Sequence, residues 1–360
     1  MAKKDKSNSE TVQLSQEELE KKFSGEESSE KESADKDNPK KIKIKSKATF
    51  SLNDYKKTTD STQASFKPQT WIRMSPAYQK VTGLPGIPEG HIVQIYGKSD
   101  TGKSTMALEL AKNAQEQGIL PVFIITEKKW SWERCTELGI DVDNCLTKDD
   151  IDFIEEGCDY IEMILKDQVE GRLPHDVAFI WDSVGGTPSK KEFEAAEEEG
   201  KSGGGMMVTA RVLRERFTRR ISSKINSTRR EDRPYNATLF VVNQAYQAPP
   251  TFIGGQTTLK PYGGDGIYYC STLVFRMGGV MSNSSKVKAT KDGMQVGFAI
   301  KSALVVEKNH ITNVTPDGKI LCTPHGFIED DKAAIDAYKK EHKDGWNLEF
   351  EGNWNAVNKD

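Results

Sequence analysis

No run of apolar residues in the 360-residue sequence approaches the ~18 that a membrane-spanning helix needs, and no basic stretch followed by an apolar core opens it. The two absences argue against an integral membrane protein and predict a soluble, unexported, cytoplasmic chain. Cysteine is scarce. Cys135, Cys145, Cys158, Cys270 and Cys322 are odd in number and scattered, with no C-x-x-C pair. That spacing argues against a zinc site and a disulfide framework, and for reduced thiols. An excess of one charge is also lacking, since the net charge is −3. The distribution says more than the sum: residues 211–233 hold nine Lys/Arg against three acids, while residues 192–199 hold five Glu.

Residues 1–40 are Lys, Glu, Ser, Asp and Asn with almost no apolar content, so they cannot bury enough surface to offset ordering entropy and are expected to be disordered. A short helix over 15–23, with Ser15 and Glu18 as a capping box, is the alternative. Lys41-Ile42-Lys43-Ile44-Lys45 alternates with period two, as a solvated edge strand does. With the apolar anchors Phe50, Leu52 and Tyr55 it makes residues 41–81 an arm. The arm either docks on a neighbouring subunit or folds back on its own core.

Compact structure is expected from near Trp71, through a turn-rich lead-in at 82–90. Strand-like runs at 92–96, 121–126, 177–181, 238–242, 271–277 and 299–307 then alternate with helical patterns at 106–117, 132–138, 149–166 and 208–225. This is an α/β pattern: a mostly parallel central sheet with helices on both faces. The core is assigned to 82–320, and 321–360 to a small C-terminal region with one helix at 330–342.

Between the first strand and first long helix lies Gly97-Lys98-Ser99-Asp100-Thr101-Gly102-Lys103-Ser104-Thr105. This is G-x-x-x-x-G-K-[ST] in the strand–loop–helix context that makes a phosphate cradle. Lys103 would reach the β- and γ-phosphates of ATP, and the Ser104 hydroxyl would serve Mg²⁺. Asp182, at the end of a buried strand, is the expected second member of the magnesium site; a strand-end turn cap is the alternative. Glu127 ends another strand, where it either activates the attacking water or simply faces solvent. Gln244 ends a third and can hydrogen-bond the γ-phosphate or that water.

Two glycine-rich loops complete the pattern. One covers 192–205 and ends in Gly203-Gly204-Gly205; the other covers 245–266, with Gly254-Gly255 and Gly263-Gly264. Loops this long in a compact domain are usually functional or disordered. The first opens into a helix bearing Arg211, Arg214, Arg216, Arg219, Arg220 and Lys224, with Val208, Val212, Phe217, Ile221 and Ile225 for the core. Its basic face reads as a phosphate-tracking surface or as a merely solvated one.

In order and spacing, the P-loop, Thr126-Glu127 with Leu138-Gly139-Ile140-Asp141, the 177–183 strand, Val242-Asn243-Gln244, Gly263-Gly264 and Val305-Val306-Glu307-Lys308-Asn309-His310 make the chain resemble the RecA recombinase family. The likeness runs from about residue 82 to 311 and is closest to the UvsX-type strand-exchange proteins of tailed phages. It implies a DNA-dependent ATPase, with ATP and Mg²⁺, that forms a filament on single-stranded DNA and pairs it with a homologous duplex. Recombination and repair would be its setting, and single-strand-binding and mediator proteins its further partners. DNA contacts are implied at Gly203, Gly204, Gly205, Met206, Arg211, Arg214, Gly254, Gly255, Gly263 and Gly264. Lys308 falls where the family reaches the neighbouring subunit's γ-phosphate, and His310 stands where a second cation is usual. Trp130-Ser131-Trp132-Glu133-Arg134 lacks the aspartate and tyrosine of the bacterial proteins, so Trp130, Trp132 or Arg134 is expected to meet the base. The rival readings are a RecA-like hexameric helicase, disfavoured because only a polar tail and short arm precede the core, and a non-recombining accessory ATPase, disfavoured by the basic helix.

Overall fold

The computed structural model describes residues 68–342, except 128, 200–204, 226–233, 250–254, 256, 280–285 and 292–293. The expectations for residues 1–40 and 41–67, and for Gly203, Gly204 and Gly254, lie outside the described residues. In chain order the elements are β1 (Trp71–Arg73), α1 (Pro76–Thr82), β2 (Gly86–Pro88), β3 (Ile92–Gly97), α2 (Lys103–Glu116), β4 (Leu120–Ile125), α3 (Trp132–Glu137) and β5 (Leu146–Lys148). They continue with α4 (Ile154–Val169), β6 (Val177–Asp182), α5 (Lys190–Glu199), α6 (Gly205–Glu215), β7 (Ala237–Ala248), β8 (Thr258–Pro261), α7 (Gly266–Cys270) and β9 (Leu273–Gly279). The last are β10 (Lys286–Lys291), β11 (Met294–Asn309), β12 (Asp317–Thr323), β13 (Gly326–Glu329) and α8 (Lys332–Glu341).

The main sheet runs β13-β12-β11-β9-β3-β7-β6-β4-β5, with β10 beside β11 and β8 beside β7. From β9 to β5 every neighbouring pair is parallel; β11, β12 and β13 continue it antiparallel. Strand alternation divides the core. Ala178 and Ile180 of β6 join α1, α2 and α3 on one face, while Val177, Phe179 and Trp181 join α4 and α6 on the other. Because both faces are covered, β3 and β6 are buried along their whole length. Such strands read as continuous apolar runs, which is why the sequence revealed them.

Five boundaries differ from expectation. Residues 71–81 belong to the core rather than an arm: β1 pairs with β2, and Ile72, Ala77 and Tyr78 are buried. The break at 320 falls inside β12, which extends the sheet, and α8 packs Tyr338 against Phe298 and Leu321. Much of the first glycine loop is the helix α5, built from the good helix formers of Glu192–Glu199, and Ser189 Oγ accepts from the Glu192 amide. Part of the second is strand: β7 runs on to Ala248 and pairs antiparallel with β8. The long helix expected over 208–225 is α6 followed by a wide π-type turn, Arg216–Ile221.

Candidate nucleotide and nucleic-acid site

Parallel strands place their carboxyl ends on one edge, so the three predicted strand-end residues meet the P-loop there. Gly97 pairs with Gln244 across β3 and β7, and Ile125 with Asp182 across β4 and β6. In the P-loop itself, a Cβ on Gly97 would lie 2.3 Å from the Met277 carbonyl oxygen. Gly102 has φ +97°, and a Cβ there would lie 2.9 Å from Cys322 Sγ. Asp100, with φ 58°, is the loop's other left-handed residue. No side chain caps α2, so no capping group competes with an anion for its first amides. Lys103 Nζ donates to the Lys98 carbonyl at 2.6 Å, arching over the loop, and Ser302 Oγ braces it by donating to the Thr101 carbonyl at 2.7 Å. Burial pulls the Lys103 ammonium below its usual range, opposed by the charges of Asp182, Glu127 and Asp100.

Asp182 is 2% exposed and hydrogen-bonded to Ser104. Burial pushes its carboxyl up to about 6; Ser104 and Lys103 hold it down and Glu127 adds repulsion. A buried carboxylate beside a hydroxyl is an oxygen donor set that suits Mg²⁺, so Ser104 and Asp182 fit that ion. Glu127 Oε1 accepts from Ser183 Oγ at 3.0 Å and from Gln244 Nε2 at 3.4 Å. The carboxylate is thereby held beside the P-loop, and its second oxygen has no hydrogen-bond partner among the described residues.

A cleft of about 980 Å³ continues from Asp100, Thr101, Gly102, Lys103, Ser104 and Thr105 between α3, the β10–β11 hairpin and residues 322–325. Arg134 lines it and donates to Thr105 Oγ1 at 3.3 Å. Trp130 does not line it, nor does Trp132, contrary to two of the three base-contact expectations. The Trp132 ring packs edge-on against Phe123 and Trp130, with centroids 5.5 and 5.7 Å away, because the apolar end of β4 offers more buried contact than the wet cleft.

The end of the second candidate DNA loop packs on α6, the helix that follows the first. A Cβ on Gly263 would lie 2.4 Å from Leu213 Cδ1, one on Gly264 3.1 Å from Ala210 Cβ, and one on Gly266 2.7 Å from Arg214 Cα. Gly263 and Gly264 both have positive φ, so only glycine allows this approach without strain. Asn243 Nδ2 donates to the Tyr262 carbonyl at 2.9 Å, linking the residue beside Gln244 to this contact. Gly205 and Met206 start α6, Gly255 lies between β7 and β8, and Arg211 and Arg214 are exposed.

Half of the expected basic face is otherwise engaged. Arg216, Arg220 and Lys224 converge on Glu162 of α4 at 3.4, 2.7 and 3.2 Å, and Arg216 also meets Asp159 at 2.7 Å. Glu162 is only 9% exposed, so these cations neutralise a buried acid, whereas Arg211, Arg214 and Arg219 form no ion pair with a described residue. Lys308 lies away from its own P-loop. It pairs with Val274 near the amino end of β9, where Nζ donates to the carbonyls of Tyr268 and Tyr269.

Sequence reasoning missed three neighbours of the site. Ser183 had a readable signal, following Asp182 at the same strand end, and Asn243 had one beside Gln244. Cys322, whose thiol donates to Thr105 Oγ1 at 3.2 Å, had none, because an antiparallel strand far along the chain delivers it.

A family model described as the RecA N-terminal domain matches residues 60–309. Protein RecA of Sulfurovum sp. is 28% identical over 235 residues, 63% of this chain and 58% of that protein. Protein RecA of Nitratiruptor sp. is 31% identical over 50% of this chain and 49% of its own. For Protein RecA of Arthrobacter sp. the figures are 29%, 69% and 67%. The chain thus spans about half to two-thirds of the length of these curated relatives.

Proposed function

This chain belongs to the RecA family, and from that premise we propose that it is an ATP-dependent recombinase, assembling on single-stranded DNA and pairing it with a homologous duplex. The observation that carries the reading is the convergence of Lys103, Glu127, Asp182 and Gln244 on one sheet edge, with Glu127 held by Gln244. The chemistry is phosphoryl transfer to water. The α2 amides and Lys103 hold the phosphate charge, Ser104 and Asp182 would hold Mg²⁺, and that ion supplies further charge neutralisation when bound. Glu127 takes the proton of the attacking water, and Gln244 senses the γ-phosphate.

Lys308 acts on the neighbouring subunit's nucleotide in a filament. Its place near the sheet's amino end supports a role in trans, since its own P-loop is at the other end. Arg211, Arg214, Gly263 and Gly264 grip the strand, and the Asn243–Tyr262 hydrogen bond ties that grip to the nucleotide state. The finer reading is a UvsX-type phage protein, supported by the absence at 130–134 of the aspartate and tyrosine of the bacterial proteins, working in a bacterial host's cytoplasm with single-strand-binding and mediator proteins. ATP turnover with and without single-stranded DNA tests the proposal: strong stimulation is expected, and DNA-independent turnover would overturn it.

A further inference from the structure

The cleft beside the P-loop has a wall that the proposed chemistry does not use. The β10–β11 hairpin overhangs it, and Lys286, Lys288, Gln295 and Gly297 line it. The hairpin is anchored rather than loose. Ile300 of β11 pairs with both Lys286 and Cys322, and the Cys322 thiol lies where a Gly102 side chain would begin. Val287, between the two lysines, packs with Phe298, Ala299, Leu321 and Tyr338. The strand's period of two then carries Lys286 and Lys288 to the other side, where both are exposed and neither forms an ion pair with a described residue.

The cleft also defines which part of a nucleotide the hairpin meets. It includes Gly102, Lys103, Ser104, Thr105 and Arg134, and not Glu127, Asp182 or Gln244. The hairpin therefore faces the P-loop residues that hold phosphate rather than the strand-end residues that face the attacking water. We propose that Lys286 and Lys288 are nucleotide-binding residues, contacting the non-transferred phosphates of ATP and ADP alike and setting affinity without touching the chemical step. The proposal rests on the nucleotide-site reading above.

Equilibrium binding of ADP without DNA, joined to steady-state ATP turnover, tests it. The double variant Lys286→Glu/Lys288→Glu is expected to bind ADP about tenfold more weakly, the scale of a few partly solvated charge contacts, with KM for ATP rising in step and kcat unchanged. The double arginine variant is expected to keep the parent affinity, because it keeps both charges. ADP affinity within twofold of the parent in the glutamate variant would overturn the proposal. So would an equal loss in the arginine variant, which would assign the hairpin a packing role. Failure of the parent itself to bind ADP or ATP would sink the nucleotide-site reading instead.

Discussion

The Gln244 amide donates to Glu127 Oε1 at 3.4 Å, across the end of β6, which lies between their two strands. Ser183 Oγ donates to the same oxygen at 3.0 Å. One oxygen thus carries the positioning contacts, and the other, unpartnered among the described residues, is the one the proposed base role would use. Replacing Glu127 by Gln is expected to leave ATP and DNA binding intact while slowing turnover by about 10²–10⁴-fold. Unchanged turnover would remove Glu127 as the base. Gln244→Ala is expected to keep basal turnover within a few-fold and lose its stimulation by DNA, measured in the same assay.

Asp182 gives the site a pH dependence. Its carboxyl is raised from 3.8 to about 6 by burial. An acid raised on folding costs stability once ionised: the penalty is absent below its unfolded value, grows between the two, and is complete above about 6. Asp182→Asn is therefore expected to raise Tm relative to the parent at pH 7.5, without nucleotide, and to give no gain at pH 3.5. Thermal unfolding at the two pH values checks this. Magnesium affinity should fall as pH drops through about 6, because the ion needs the carboxylate.

Much of this was legible beforehand for a physical reason. Strands buried on both faces are built almost wholly of apolar residues, the buried Gln94 apart, so 92–96 and 177–181 read as apolar runs and the acids at strand ends stood out. Phosphate cradles need glycine at fixed spacing, which marked Gly97 and Gly102. What stayed hidden depended on partners distant in sequence. Nothing local reveals that Glu162 draws in Arg216, Arg220 and Lys224, nor that Trp132 turns to Phe123.

That division of the basic residues is itself measurable. Arg211→Ala is expected to weaken single-stranded DNA binding and reduce the slope of log affinity against log salt by about 0.7, the share of one phosphate contact. Arg220→Ala should leave the slope unchanged and cost about 0.5–1 kcal/mol of stability instead. Equal effects on the slope would restore Arg220 to the DNA surface.

Gly263 carries the contact between the second loop and α6. A Cβ there meets Leu213 at 2.4 Å, in a backbone region that L side chains avoid. Gly263→Ala is expected to cost about 1–3 kcal/mol and to weaken DNA binding. Adding Leu213→Ala should recover part of the steric share and none of the backbone share, which a double-mutant cycle by denaturant unfolding separates.

The central claim is that the nucleotide site controls the grip on DNA through the strand ends and the Asn243–Tyr262 contact. The most direct measurement is single-stranded DNA affinity with a non-hydrolysable ATP analogue and magnesium, and again with no nucleotide, at matched salt. The account predicts tight binding in the first case and binding at least tenfold weaker in the second; equal affinity in both would contradict it.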